Sequence, residues 1–195
     1  MGLNWVDLSK IFKEKLYENR QYNESLQLTR MNTSGNLWLF GGAVYKTLSN
    51  LLYRTHAGFK DFDFFAEKIS EPIQLIQNWK RIYGKFTNPK FRQIESSFEL
   101  DIVPLNNIYH LKENSLTPNI DNFLKAAPLN IFSLLFDINN EQLIGESGKK
   151  ALEGRVVKIN NLKSAEEMAK RYDTTIKEII EKRAKELNFK AEYPY

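Results

Sequence analysis

The sequence predicts an α+β protein, with a mixed sheet flanked by helices over residues 1–125 and a mainly helical region over residues 126–195. Three observations lead there. A short apolar run, Leu37 to Phe40, stops at Gly41-Gly42 and gives way to apolar residues at helical spacing. Two later segments, around Asp61 and around Asp101, alternate apolar and acidic residues with the period of two that marks a strand. From Lys163 onward, apolar residues recur every third or fourth position on one stripe.

Taken in order, Trp5, Leu8, Ile11, Phe12 and Leu16 predict helix through the first thirty or so residues, ended by a turn at Asn32, Ser34 and Gly35. Leu37–Phe40 reads as a buried strand, and Val44, Leu48, Leu51 and Leu52 as a helix ending near Arg54. Phe59–Phe65 reads as a second strand. Glu71–Ile82, with Pro72 suited to a first helical turn, reads as another helix. Asn88-Pro89 marks a turn, and Phe91–Leu105 a hairpin or long bent strand that Pro104 ends. A polar loop leads to Pro118. The apolar stretch from Pro128 to Phe136 belongs to the helical half, Asn139-Asn140 turn the chain, and Val156-Val157 form a short strand. Ser164 and Glu167 match a capping box opening the last helical region, which carries Met168, Tyr172, Ile176, Ile180 and Leu187.

The composition narrows the function classes. Of 195 residues, 42% are apolar and 27% charged, which suits an ordered globular chain rather than a disordered one. No apolar run approaches the roughly 18–20 residues that span a bilayer, and the N-terminus lacks the layout of a secretory signal, so a cytoplasmic protein without a membrane partner is expected. The absence of cysteine excludes disulfides, thiol nucleophiles and cysteine-ligated zinc. A net charge of +4 suits a polyanionic partner, a nucleoside triphosphate or RNA.

The chemistry sits in three places. A glycine pair between a strand and a helix lets backbone N–H groups approach an anion, at a helix end whose partial charge favours phosphate. Asp61 and Asp63, two apart on a strand, leave the same face while Phe62 and Phe64 point into the core. Asp101, on a later strand with its apolar neighbours facing away, can join them, and Glu99 on the same face is a reserve ligand. Oxygen-only ligands of this kind select Mg²⁺, or Mn²⁺ in its place, and three carboxylates suffice to hold two such ions. Lys46 and Lys60 stand near the glycines and the first aspartate, as candidate phosphate contacts or as plain solvated lysines. No Walker-type loop and no Ser/His/Asp arrangement is present.

The segments LWLFGGAVYKTL, KDFDFF and FELDIVPL together resemble the signature of the nucleotidyltransferase superfamily, whose fold is of the polymerase-β type. Poly(A) polymerases, CCA-adding enzymes and small toxin-type transferases share it. The resemblance implies that Gly41 and Gly42 contact the triphosphate and that Asp61, Asp63 and Asp101 bind metal and carry catalysis. The second half is similar to the neck of CCA-adding enzymes, with Asn130, Asp137, Leu152, Arg155 and Val156 at matching places, which implies a nucleotide contact for Asn130. The chain departs from those enzymes at Tyr45-Lys46, where they carry Arg-Asp, at Ala126-Ala127-Pro128, and in the length between Gly42 and Asp61. The expected activity is metal-dependent transfer of a nucleoside monophosphate to a hydroxyl on RNA, protein or a small molecule. The expected biological setting is that of a toxin-type transferase with an antitoxin-like partner. The alternative is an inactive module of the same fold that binds nucleotide, RNA or a protein.

Overall fold

A computed structural model of the chain describes residues 3–83 and 88–193. Seven strands form its central sheet: Thr33–Phe40 (β1), Asp61–Ile69 (β2), Trp79–Ile82 (β3), Lys90–Gln93 (β4), Glu99–Pro104 (β5), Leu135–Asp137 (β6) and Gln142–Ile144 (β7). Their spatial order is β3-β4-β5-β2-β1-β6-β7. β2 and β5 run parallel; the other neighbours are antiparallel, so the sheet is mixed. The helices are Trp5–Tyr17 (α1), Arg20–Met31 (α2), Gly42–Tyr53 (α3), Tyr109–Glu113 (α4), Ile120–Ala126 (α5), Glu146–Gly154 (α6), Leu162–Tyr172 (α7) and Ile176–Leu187 (α8). Val156–Val157 (β8) and Lys190–Ala191 (β9) pair in parallel outside the main sheet.

The alternation along β2 decides how the sheet faces its surroundings. Phe62, Phe64 and Ala66 are fully buried in a core shared with Phe12 of α1, Tyr22 of α2 and Leu48 of α3. Burying each phenylalanine is worth about 1.5–3 kcal/mol, and slipping the strand by one residue would exchange those rings for carboxylates. That cost holds Asp61, Asp63 and Phe65 on the opposite face. There Phe65 joins a second core with Trp38, Ile108, Leu111 and Phe123. This second core covers one end of the face, and the aspartate end is left as the wall of a cleft.

Several expected elements differ. The N-terminal helix is two helices, because Asn19 caps a new start by accepting from the Tyr22 N–H. Residues Glu71–Ile82 do not form a helix. The side chain of Asn32 holds the backbone of Gln74 on both sides (Gln74 N–H to Oδ1, 2.7 Å; Nδ2 to Gln74 O, 3.0 Å), and Trp79–Ile82 is drawn into the sheet as an edge strand. Asn78 takes a positive φ of 66° just before it. The stretch after Pro128 makes a single 3-10 turn, Asn130–Phe132, and then β6, whose Phe136 pairs with Leu39 of β1. The capping box at Ser164 and Glu167 is absent: Asn161 caps α7 by accepting from the Ser164 N–H, and Ser164 is buried inside the helix. A capping box does occur at Thr175 and Glu178, where the expected single helical stripe breaks into α7 and α8.

Candidate active site

The parallel pairing of β2 with β5 sets Asp61 against Glu99 and Asp63 against Asp101. Register partners in neighbouring strands, about 4.8 Å apart, direct their side chains to the same face, so four carboxylates stand on one wall. β4 lies beyond β5 and pairs Lys90 with Asp101. The Lys90 ammonium is 3.0 Å from Asp101 Oδ2 and 2.8 Å from Glu99 Oε2. On the other side of β2, Phe40 of β1 is opposite Asp63.

Gathering these charges has measurable consequences. Burial holds the Asp63 carboxyl well above the usual carboxylate range, and the neighbouring Asp61 and Asp101 carboxylates push in the same direction. Burial also raises Asp61, with Glu99 adding to it and Lys90 opposing. Asp101 is raised by burial too, against the pull of its Lys90 partner. Glu99 behaves otherwise. Burial works against its charge, yet hydrogen bonds from Lys90 and Arg92 bring it below its ordinary value. Burial likewise opposes the charge of Lys90, but its two carboxylate partners carry it up to about 12.

The glycine turn sits directly on this wall. Gly41 adopts φ 76°, ψ −152°, a conformation only glycine takes readily, and a Cβ there would lie 2.8 Å from Asp63 Oδ2. Gly41 caps α3 without a side-chain hydrogen bond, and the first N–H groups of any helix lack intrahelical partners. The turn thus leaves unspent donors close to Asp63. Gly42 has room: the nearest atom to a Cβ there is Phe59 Cβ at 3.6 Å. Lys46, one turn along α3, donates to Gly58 O at 2.9 Å and lies 3.5 Å from Glu186 of α8. The long connection from α3 to β2 is an ordered loop. Asn50 bonds Ala57 through both its amide atoms and also takes the Thr55 hydroxyl.

A cleft of about 770 Å³ opens over the wall. Gly41, Gly42, Lys46, Lys60, Asp61, Asp63, Lys90 and Asp101 line it. Lys60 is exposed at its rim. Asn130 is not among the lining residues. It is buried, and its amide is consumed in tying the chain together: Nδ2 donates to Val156 O (2.9 Å), while Oδ1 accepts from the N–H groups of Ile131 (2.9 Å) and Lys158 (3.0 Å). That is a structural position.

Further residues complete the cleft. Met168, Arg171 and Tyr172 come from α7 and Arg183 from α8. Arg183 bonds Glu186 at 2.7 Å, lies over the Phe132 ring, and keeps a buried Nε without a hydrogen-bond partner. Tyr45 is buried beside Phe132, and burial pushes its hydroxyl up to about 12. His110 also lines the cleft with an unpartnered, buried Nδ1; burial and then Arg171 bring it down to about 4, so it is neutral at pH 7. Periodicity alone made the C-terminal region an amphipathic helix packed on the head, with no residue assigned to the site. Only its packing brings Arg183 to the site.

The donor set is all oxygen, two of its carboxylates are short of positive charge, and the chemistry fits a divalent cation such as Mg²⁺. Among the described residues no three acidic side chains converge into a ready-formed metal cluster, since Lys90 already occupies Asp101 and Glu99. No helix among the described residues is long and apolar enough to cross a membrane.

No family model matches the chain, and no curated protein matches its sequence. Solved structures do. A CCA-adding enzyme in complex with CTP superposes over 92% of this chain with a TM-score of 0.59 and 16% identity. A CCA-adding enzyme in complex with ATP covers 80% (TM-score 0.52, 15% identity), and a tRNA-processing enzyme complex covers 80% (TM-score 0.51, 19% identity). The chain spans 43%, 35% and 40% of those three chains, less than half of each. With its seven-stranded mixed sheet, glycine turn and flanking helices, the chain shares its fold with these solved CCA-adding and tRNA-processing enzyme structures.

Proposed function

We propose that the protein is a metal-dependent nucleotidyltransferase that moves a nucleoside monophosphate from a triphosphate to a hydroxyl acceptor. One observation carries this reading: the turn at Gly41 lies against the Asp63 carboxylate, and Asp63 is register-paired with Asp101, so an anion-binding helix end and an acidic wall meet in one cleft. A helix N-terminus attracts phosphate and a carboxylate wall repels it. The two belong together only where a cation stands between them.

Asp61 and Asp63, with Asp101 beside them, are the residues that would hold Mg²⁺ or Mn²⁺. When bound, such an ion supplies charge neutralisation for the triphosphate and lowers the pKa of an oxygen it touches. The chain's own residues do the positioning. The N–H groups at Gly41 and Gly42 orient the phosphates, and Gly42 leaves them space. Lys46 and Lys60 add positive charge at the mouth. Arg183, stacked over Phe132 with Tyr45 buried behind, offers a cationic plane suited to a nucleobase. The acceptor belongs to RNA, protein or a small molecule, as with toxin-type transferases, and an antitoxin-like partner belongs to the same proposal.

The test is incubation with α-³²P-labelled ATP, CTP, GTP and UTP, MgCl₂, and total RNA or protein as acceptor, beside Asp61→Asn/Asp63→Asn. Label incorporated by the wild type and abolished by the variant or by EDTA is expected. Equal incorporation by both proteins defeats the proposal. A second reading, a binding module without chemistry, has one observation in its favour: Lys90 sits on the third carboxylate. It predicts nucleotide binding without any incorporation.

A further inference from the structure

The four carboxylates on the wall fall into two pairs by their ion-pair partners. Glu99 and Asp101 are neutralised within the chain. Lys90 reaches both, at 2.8 and 3.0 Å, and Arg92 holds Glu99 as well. Asp61 and Asp63 have no ion-pair partner among the described residues. The backbone that carries Lys90 is held in place. Its strand is registered on β5 at three consecutive pairs and is anchored further by the Ile102 N–H to Pro89 O bond of 3.0 Å. Its side chain is only 24% exposed.

A metal ion seated between Asp61/Asp63 and Asp101 would meet this ammonium. It would compete with Lys90 for Asp101 and place a half-buried lysine next to a doubly charged ion. Both changes are unfavourable, because charge-assisted bonds are the strong ones and like charges repel more in a partly dry site. A cation between Asp61 and Asp63 alone meets neither obstacle.

We infer that Lys90 is a resident ammonium that takes the place of a second metal ion, so that the site binds one divalent cation, on Asp61 and Asp63, and not two. Asp101 is then a carboxylate positioned by Lys90 and not a metal ligand. This rests on the proposed function, since it concerns the metal that function needs.

Counting the ions tests it. Crystals of the full chain are soaked with MnCl₂ and inorganic tripolyphosphate, a probe that carries no base, and anomalous difference peaks on the acidic wall are counted. The wild type is expected to show one peak, against Asp61 and Asp63, with the Lys90–Asp101 pair intact. Lys90→Met is expected to show two, and Lys90→Arg one. Two peaks in the wild type overturn the inference and leave the nucleotidyltransferase reading standing. One peak in Lys90→Met also overturns it, since the lysine would not be what excludes the second ion. No peak on the wall of the wild type overturns both readings. The wild-type count decides on its own if Lys90→Met does not fold.

Discussion

Replacing Asp63 by asparagine should stabilise the metal-free protein at neutral pH. Asp63 stands at the meeting point of the wall, with Asp61 two residues along its strand and Asp101 in register across the parallel pair. With partners at roughly 5 Å and an effective dielectric of about 20, one charged neighbour costs about 3 kcal/mol. Lys90 offsets part of this. The full sum is never reached, because the carboxyl can take a proton instead. Across the roughly 3 pH units between its ordinary value and neutrality, protonation costs about 4 kcal/mol, which is the ceiling on what Asp63 can cost the fold at pH 7. About half that ceiling, near 2 kcal/mol, is the expected gain, or a Tm increase of about 4–8 °C for a chain of this size.

The sign with pH follows from the direction of the shift. A carboxyl raised in the fold binds its proton more readily there than in the unfolded chain. The fold therefore has the full benefit below the unfolded value near pH 4 and loses it as pH rises through the raised folded pKa. The advantage of Asp63→Asn should vanish near pH 4.5 and be largest at pH 7–8. Thermal melts in EDTA across that range measure it. Adding MnCl₂ with tripolyphosphate should then stabilise the wild type by mass action and leave the variant behind. A variant less stable than wild type at pH 7.5 in EDTA, or a difference that does not change with pH, would refute the reasoning.

Four further outcomes separate fold from function. Gly42→Ala should keep the wild-type Tm within about 0.5 kcal/mol of stability, since a Cβ meets only ordinary contacts, yet weaken triphosphate binding. Gly41→Ala should cost about 1–3 kcal/mol in urea unfolding, because φ 76° and the Asp63 oxygen both oppose a side chain. Asn130→Ala should destabilise by roughly 2–4 kcal/mol through the buried backbone groups it orphans, while the nucleotide KM of the folded fraction stays unchanged; a raised KM would return Asn130 to the site. Arg183→Gln should raise the nucleotide KM roughly tenfold, worth about 1.4 kcal/mol, with little change in Tm.

Which features were legible in the sequence follows from their range along the chain. The period of two in DFDF and in FELDI is local, and it correctly put Phe62, Phe64, Leu100 and Ile102 in the core and the acids opposite. The glycine turn was legible for the same reason. The helix expected over Glu71–Ile82 failed because Asn32, far away in sequence, captures the Gln74 backbone and β4 claims Trp79–Ile82. Nothing in the residues around Lys90 singles it out. Its place opposite Asp101 depends on the β4–β5 register, which the residues of neither strand specify alone. Arg183 lay hidden in a charged helix for the same physical reason: which face packs is settled by α7 and the head, not by the helix itself.

The way the acidic wall breaks the usual rules is itself an argument about purpose. A sheet selected only for stability has no use for Asp61 and Asp63 side by side with Asp101, since uncharged residues on those strands would be cheaper at neutral pH. The neighbourhood treats the four acids unequally. Glu99 and Asp101 receive Lys90, and Glu99 receives Arg92 besides, whereas Asp61 and Asp63 form no ion pair and feel Lys90 only across space. A general shortage of cations would leave all four exposed to repulsion. A chain with 28 lysines and arginines, a net charge of +4 and a lysine already one strand away has no such shortage. The deficit is confined to the two carboxylates beneath the glycine turn, which is where an incoming cation would be held against a phosphate.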